Sequence, residues 1–146
     1  MTKAEARKLA TDIIDYFCRL VEFERRSDIS LYVCDDDDHD GEYAGLTQIF
    51  ESHGQYAVKL FIDDRTKRST LINTICHELA HVFTNEDYTH HQTYIADADE
   101  GDSIARINFM QGFERIAKRY AVVLAKLWET KNKLEALNGK SITKRR

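Results

Sequence analysis

The chain has 146 residues, of which 42% are hydrophobic and 32% charged, and its net charge is −4. That length and balance suit one domain with a buried core, and they exclude a bilayer-spanning chain and a body built for generic nucleic-acid binding. The three cysteines (Cys18, Cys34 and Cys76) are odd in number and form no C-x-x-C pair, which excludes a disulfide framework and reads as reduced thiols.

Met1-Thr2-Lys3-Ala4-Glu5 is charged and lacks the apolar segment of a signal peptide, so the expected location is the cytoplasm. Thr2-x-x-Glu5 predicts a capping box at the start of a first helix, with Leu9, Ile13, Tyr16 or Phe17, and Leu20 on its buried stripe. Arg25-Arg26 fall where cations suit a helix C-terminus. Ile29, Leu31 and Val33 then alternate with polar or half-polar residues, which predicts a strand. An acidic run from Asp35 to Asp40 ends at Gly41. Tyr43 to Phe50 reads as a second strand, His53-Gly54 as a turn, and Tyr56, Val58, Leu60 and Ile62 as the alternation of a third strand. Short turns between three strands predict an antiparallel meander.

Asp63-Asp64 offer an N-cap for the next helix, whose apolar stripe is Leu71 or Ile72, Ile75, Leu79, and Val82 or Phe83. Asn85 to Gly101 is polar and acidic and predicts a loop. Asn108-x-x-Gln111 predicts the cap of a long last helix, with Phe113, Ile116 or Ala117, Tyr120, Val123 or Leu124, and Leu127 on its apolar side. Asn138-Gly139 is the expected C-cap. Residues 1–139 then make a single domain, and 140–146 a basic disordered tail.

Within the second predicted helix stands His77-Glu78-Leu79-Ala80-His81, an H-E-x-x-H sequence. Histidines four apart lie one turn above the other on one helix face, so both imidazoles can grip one zinc ion. The intervening Glu78 lies near that face and can act as general base on a water at the metal. Thr74-Ile75-Cys76 before the motif and Val82-Phe83 after it carry no charge, as a helix anchored in a core requires. The motif resembles the signature of the zincin metallopeptidases. With the order helix, three strands, motif helix, long helix, the chain is similar to a minimal α+β zincin-like fold with a mainly antiparallel three-stranded sheet. Such folds carry a free strand edge beside the cleft, able to pair with an extended peptide, and Gln55 to Ile62 is the predicted edge here.

A catalytic zinc needs a third protein ligand. Glu114 lies 33 residues after His81, and Glu114-Arg115-Ile116-Ala117-Lys118-Arg119-Tyr120-Ala121 resembles the third-ligand helix of the glutamate zincins, particularly the ImmA/IrrE-like and phage-borne metallopeptidases. That resemblance implies Glu114 as the ligand, with Ala117 and Ala121 letting the two helices approach closely. The acidic residue this pattern carries four positions after the ligand is Lys118 here. His90 or His91 is the alternative, because His90-His91-Gln92-Thr93-Tyr94 resembles the ligand segment of SprT-like proteases without its glycine. Asp87 has metzincin spacing from His77, but Thr84 replaces the glycine of the metzincin turn. Tyr88, Tyr94 or a non-ligating His90 or His91 could stabilise an oxyanion.

Asp36-x-Asp38-x-Asp40-Gly41 matches the first half of an EF-hand calcium loop, but the bidentate glutamate is replaced by Thr47, so a solvated acidic loop is expected. Cys76, about 100° around the helix from His77, reads as a buried apolar residue. The resemblance implies a bacterial or phage zinc metallopeptidase acting on a protein or peptide substrate, with no membrane partner. A SprT-like protease working beside nucleic acid, through a tail that includes Lys140 and Arg146, is one alternative. A non-catalytic binding module on a zincin scaffold, such as a phage factor directed at a host protein, is another.

Overall fold

The computed structural model describes residues 1–36, 44–50, 54–96 and 103–144, and along 86–96, 103–110, 113 and 140–144 it describes the backbone alone. Helix α1 spans Lys3–Leu20. The Thr2 hydroxyl accepts from the Glu5 N–H (3.1 Å) and the Glu5 carboxylate accepts from the Thr2 N–H (2.9 Å), closing the predicted capping box. The helix ends before Arg25-Arg26. Glu22 takes the left-handed backbone (φ 56°), and the N–H groups of Glu22 and Phe23 return to the carbonyls of Arg19 and Cys18, a Schellman ending. Arg26 opens a separate 3-10 turn, Arg26–Asp28, and its guanidinium pairs with Asp15 at 2.6 Å.

The sheet is three-stranded, with β1 (Ile29–Asp35), β2 (Gly45–Phe50) and β3 (Gln55–Ile62) in the order β1-β3-β2. β2 and β3 pair antiparallel and β1 and β3 pair parallel, so the sheet is mixed and the expected meander is not formed. The expectation that β3 is the free edge is also overturned, because β3 is the central strand. Its residues explain the placement: Tyr56, Ala57, Val58, Leu60 and Ile62 are all buried, whereas β2 carries half-exposed Thr47 and Gln48. The nine-residue link from β1 to β2 is long enough to cross two strand spacings, roughly 10 Å, which leaves the middle slot to β3.

Helix α2 spans Arg68–Ala96 and α3 spans Ser103–Lys144. Asp63 does not cap α2. Its carboxylate accepts from the Arg65 N–H (2.8 Å) and the Thr66 hydroxyl (3.2 Å), tightening the turn that precedes the helix. The loop expected from Asn85 is helical to Ala96, and α3 begins at Ser103, ahead of the predicted Asn108 cap. Polarity alone does not break a helix, and the chain has no proline and no glycine between Gly54 and Gly101. At the expected break Thr84 donates to the Ala80 carbonyl (2.7 Å) and the Asn85 amide NH2 donates to the Tyr56 hydroxyl (3.1 Å). At the other end α3 runs through Asn138-Gly139 to Lys144, so the predicted cap is not used and the backbone of the expected tail is helical to that residue.

Helices α1 and α2 cover one face of the sheet and α3 packs along α2. Phe17 and Ile13 from α1, Val58 and Leu60 from β3, and Leu71, Ile75, Leu79 and Val82 from α2 form the shared core, joined by Ala117, Ala121, Leu124 and Trp128 of α3. The opposite sheet face shows Tyr32, Leu46 and Phe50 to solvent. Among the described residues, no helix is long and apolar enough to cross a membrane.

Candidate metal centre

Leu71, Ile75, Leu79 and Val82 bury one side of α2, His77 and His81 turn away from it toward Glu114 of α3, and Glu78 lies at its margin against Thr47 of β2. Ala117 and Ala121 lie one and two turns beyond Glu114 on α3, and both are buried. The small side chains of Ala117 and Ala121 let α3 come close enough for Glu114 to reach both histidines. The His77 and His81 Nε2 atoms are 3.2 Å apart. The Glu114 Oε1 is 2.9 Å from His77 Nε2, and its Oε2 is 3.1 Å from His81 Nε2. The rings are nearly perpendicular, at 84°.

These three side chains form a group that could hold one metal ion. Zinc bonds of about 2.0–2.1 Å in a tetrahedral shell put neighbouring ligand atoms about 3.3 Å apart. The observed separations of 2.9–3.2 Å are close to that spacing, with a different Glu114 oxygen facing each imidazole. The donor chemistry fits as well. Two imidazole nitrogens and a carboxylate converge on one point, and a shared cation satisfies all three where neutral imidazoles supply too few protons. Accessibility rises from His81 (15% of the side chain) through His77 (25%) to Glu114 (43%), so the group opens to solvent past α3.

Glu78 is only 5% exposed. Burial raises its pKa above the ordinary carboxylate value, and Glu114 adds to the rise, while the Thr47 hydrogen bond and His77 oppose it. Burial lowers the pKa of His81, against the pull of Glu114. Cys76 beside the motif is fully buried and its thiol is pushed up to about 12, which suits the expected apolar role and not a thiolate ligand.

Sequence reasoning missed two residues of the site, both on β2. The Thr47 hydroxyl bonds the Glu78 carboxylate and lies 3.1 Å from the Glu78 backbone carbonyl. Two positions earlier, Gly45 makes the approach possible. A Cβ there would stand 2.7 Å from the Thr74 Cγ2, 3.0 Å from the Glu78 Cγ and 3.3 Å from the Lys59 carbonyl oxygen. The legible signal was weak: a glycine and a threonine two apart on a predicted strand put both on one face. Gly45→Ala is expected to destabilise the protein by about 1–3 kcal/mol through this overlap. Thermal unfolding checks it, and an unchanged melting temperature would show that β2 has slack against α2.

The side chains of Asp87, Tyr88, His90, His91 and Tyr94 lie outside the described residues, as do Asp38 and Asp40 of the half calcium loop. Lys118 is exposed. The chain matches no protein-family model, and no curated protein or solved structure matches it significantly.

Proposed function

We propose that this protein is a zinc-dependent peptidase of the glutamate-zincin kind, cleaving an extended segment of an intracellular protein in the cytoplasm. The observation that carries the reading is the convergence of His77, His81 and Glu114, from two helices, beside a buried Glu78. Zinc in that group would supply Lewis acidity toward a water and a substrate carbonyl. Glu78 takes the proton of the attacking water and passes it to the leaving nitrogen as the peptide bond breaks. Its burial favours holding that proton between the two events.

The sheet supports a peptide substrate. The Phe61 N–H donates to the Ala44 carbonyl at 3.0 Å, so Ala44, Leu46, Gln48 and Phe50 turn their backbone groups toward β3. Gly45, Thr47 and Ile49 therefore turn theirs to the outer edge of β2, where no further strand pairs among the described residues. An extended peptide pairing there would run beside Glu78. β2 thus takes the part that the sequence assigned to β3.

The test is cleavage of a mixed library of unstructured peptides by the zinc-loaded chain, read by mass spectrometry. Cleavage that stops on chelation and returns with zinc is the expected result. A zinc-loaded chain that cuts no peptide in such a library would overturn the reading.

A further inference from the structure

Resting on that reading, we infer that Thr47 is the positioning residue for Glu78, and that it ties the proton-carrying carboxyl to the strand edge on which the substrate docks. Three observations on different elements meet here. The Thr47 hydroxyl reaches both the carboxylate and, at 3.1 Å, the backbone carbonyl of Glu78. Gly45 lacks the Cβ that would hold β2 away from the Thr74–Glu78 side of α2. The backbone groups of Thr47 itself face the open edge of β2.

The hydroxyl is suited to a carboxyl that gains and loses a proton in each cycle. It donates to the ionised carboxylate. Once Glu78 carries the water's proton on its other oxygen, the hydroxyl still donates to the carboxyl oxygen that faces β2. In both arrangements one carboxyl oxygen stays on β2, which leaves the other for the reacting atoms. A valine of the same shape supports neither arrangement, while serine supports both. Because the same residue offers N–H and C=O at the edge, a peptide that pairs with β2 presses on the residue that orients the base. Docking and proton transfer therefore share one residue, and a poorly paired peptide meets a poorly aimed carboxyl.

The test compares Thr47→Val and Thr47→Ser in the full, zinc-loaded chain. Thr47→Val is expected to lower kcat roughly 10- to 100-fold, the worth of a hydrogen bond to a charged group, with KM and zinc content unchanged. Thr47→Ser is expected to stay within about threefold of the parent, since it keeps the same hydrogen-bonding group. A merely structural threonine would instead move zinc content or KM and would not be rescued by serine.

A second readout needs no turnover. In a melting cycle of Thr47→Val with Glu78→Ala, Thr47→Val should lower the melting temperature by about 3 °C in the parent and by almost nothing once Glu78 is gone. Parent-like kcat in Thr47→Val, or additive melting shifts, overturns the inference while leaving the peptidase reading intact. If the parent chain proves inert, the cycle alone decides. Non-additive shifts keep Thr47 as the holder of Glu78 although the peptidase reading falls, and additive shifts end both.

Discussion

Glu78→Gln is expected to keep its zinc and its fold and to lose about 10²- to 10⁴-fold in kcat, the range that a positioned general acid–base contributes. The substitution is close to a pure removal of proton-transfer ability. Glutamine has the same length and fits a side chain that is 5% exposed. Its amide can still hydrogen-bond the Thr47 hydroxyl, so the contact with β2 survives. Glu78 is not one of the three side chains that could hold the metal, so metal content should not change. Stability should hold or rise, because burial already disfavours the charged carboxylate and the amide removes that charge. Three measurements on one preparation check this: zinc per chain, melting temperature and kcat on a peptide that the parent cleaves. A variant with parent-like turnover would remove Glu78 from the chemistry, and a variant without zinc would place it in the metal shell instead.

The parts of this site that were legible in the sequence are those fixed by spacing within one helix. His77 and His81 meet because four residues make one turn, and no other element needs to be known to say so. Glu114 was legible through a resemblance, that of Glu114 to Ala121 to the third-ligand helix of the glutamate zincins, with Ala117 and Ala121 as a small-residue stripe at helical spacing. That stripe pointed to a close helix contact, and the buried alanines bear it out. The strands were legible by alternation, but their order was not. Alternation says which residues share a face, while the placement of β3 between β1 and β2 depends on the length of the β1–β2 link and on which strand buries the most surface. The extents of α2 and α3 are not legible from polarity, because the polar residues from Asn85 to Ala96 include no helix breaker. Thr47 and Gly45 were missed because their role exists only across two elements. A strand residue bonding a helix carboxylate 31 positions later leaves no periodic trace.

Glu114→Ala is expected to empty the centre. Two histidines on one helix leave the metal with half of a four-coordinate shell, and catalytic zinc sites use three protein ligands. Loss of a residue that merely supports a ligand costs about 10- to 100-fold in metal affinity, so loss of a ligand should cost more. Zinc per chain should fall from about one to a small fraction at micromolar free metal, and the rise in melting temperature on adding zinc should disappear with it. The metal-free chain gives an internal control. Glu114 bridges both imidazoles at 2.9 and 3.1 Å while being 43% exposed, so its removal should cost the apo protein little. A large loss of zinc with a small loss of apo stability would identify Glu114 as a ligand and not a packing residue. Full zinc in the variant would instead call for a donor from beyond the described side chains, and a ligand at His90 or His91 would move the chain toward the SprT-like resemblance. Glu114→Gln sharpens the comparison: an amide oxygen of the same reach lacks the charge, so retention in Gln but not in Ala would mean that reach matters more than charge in holding the metal.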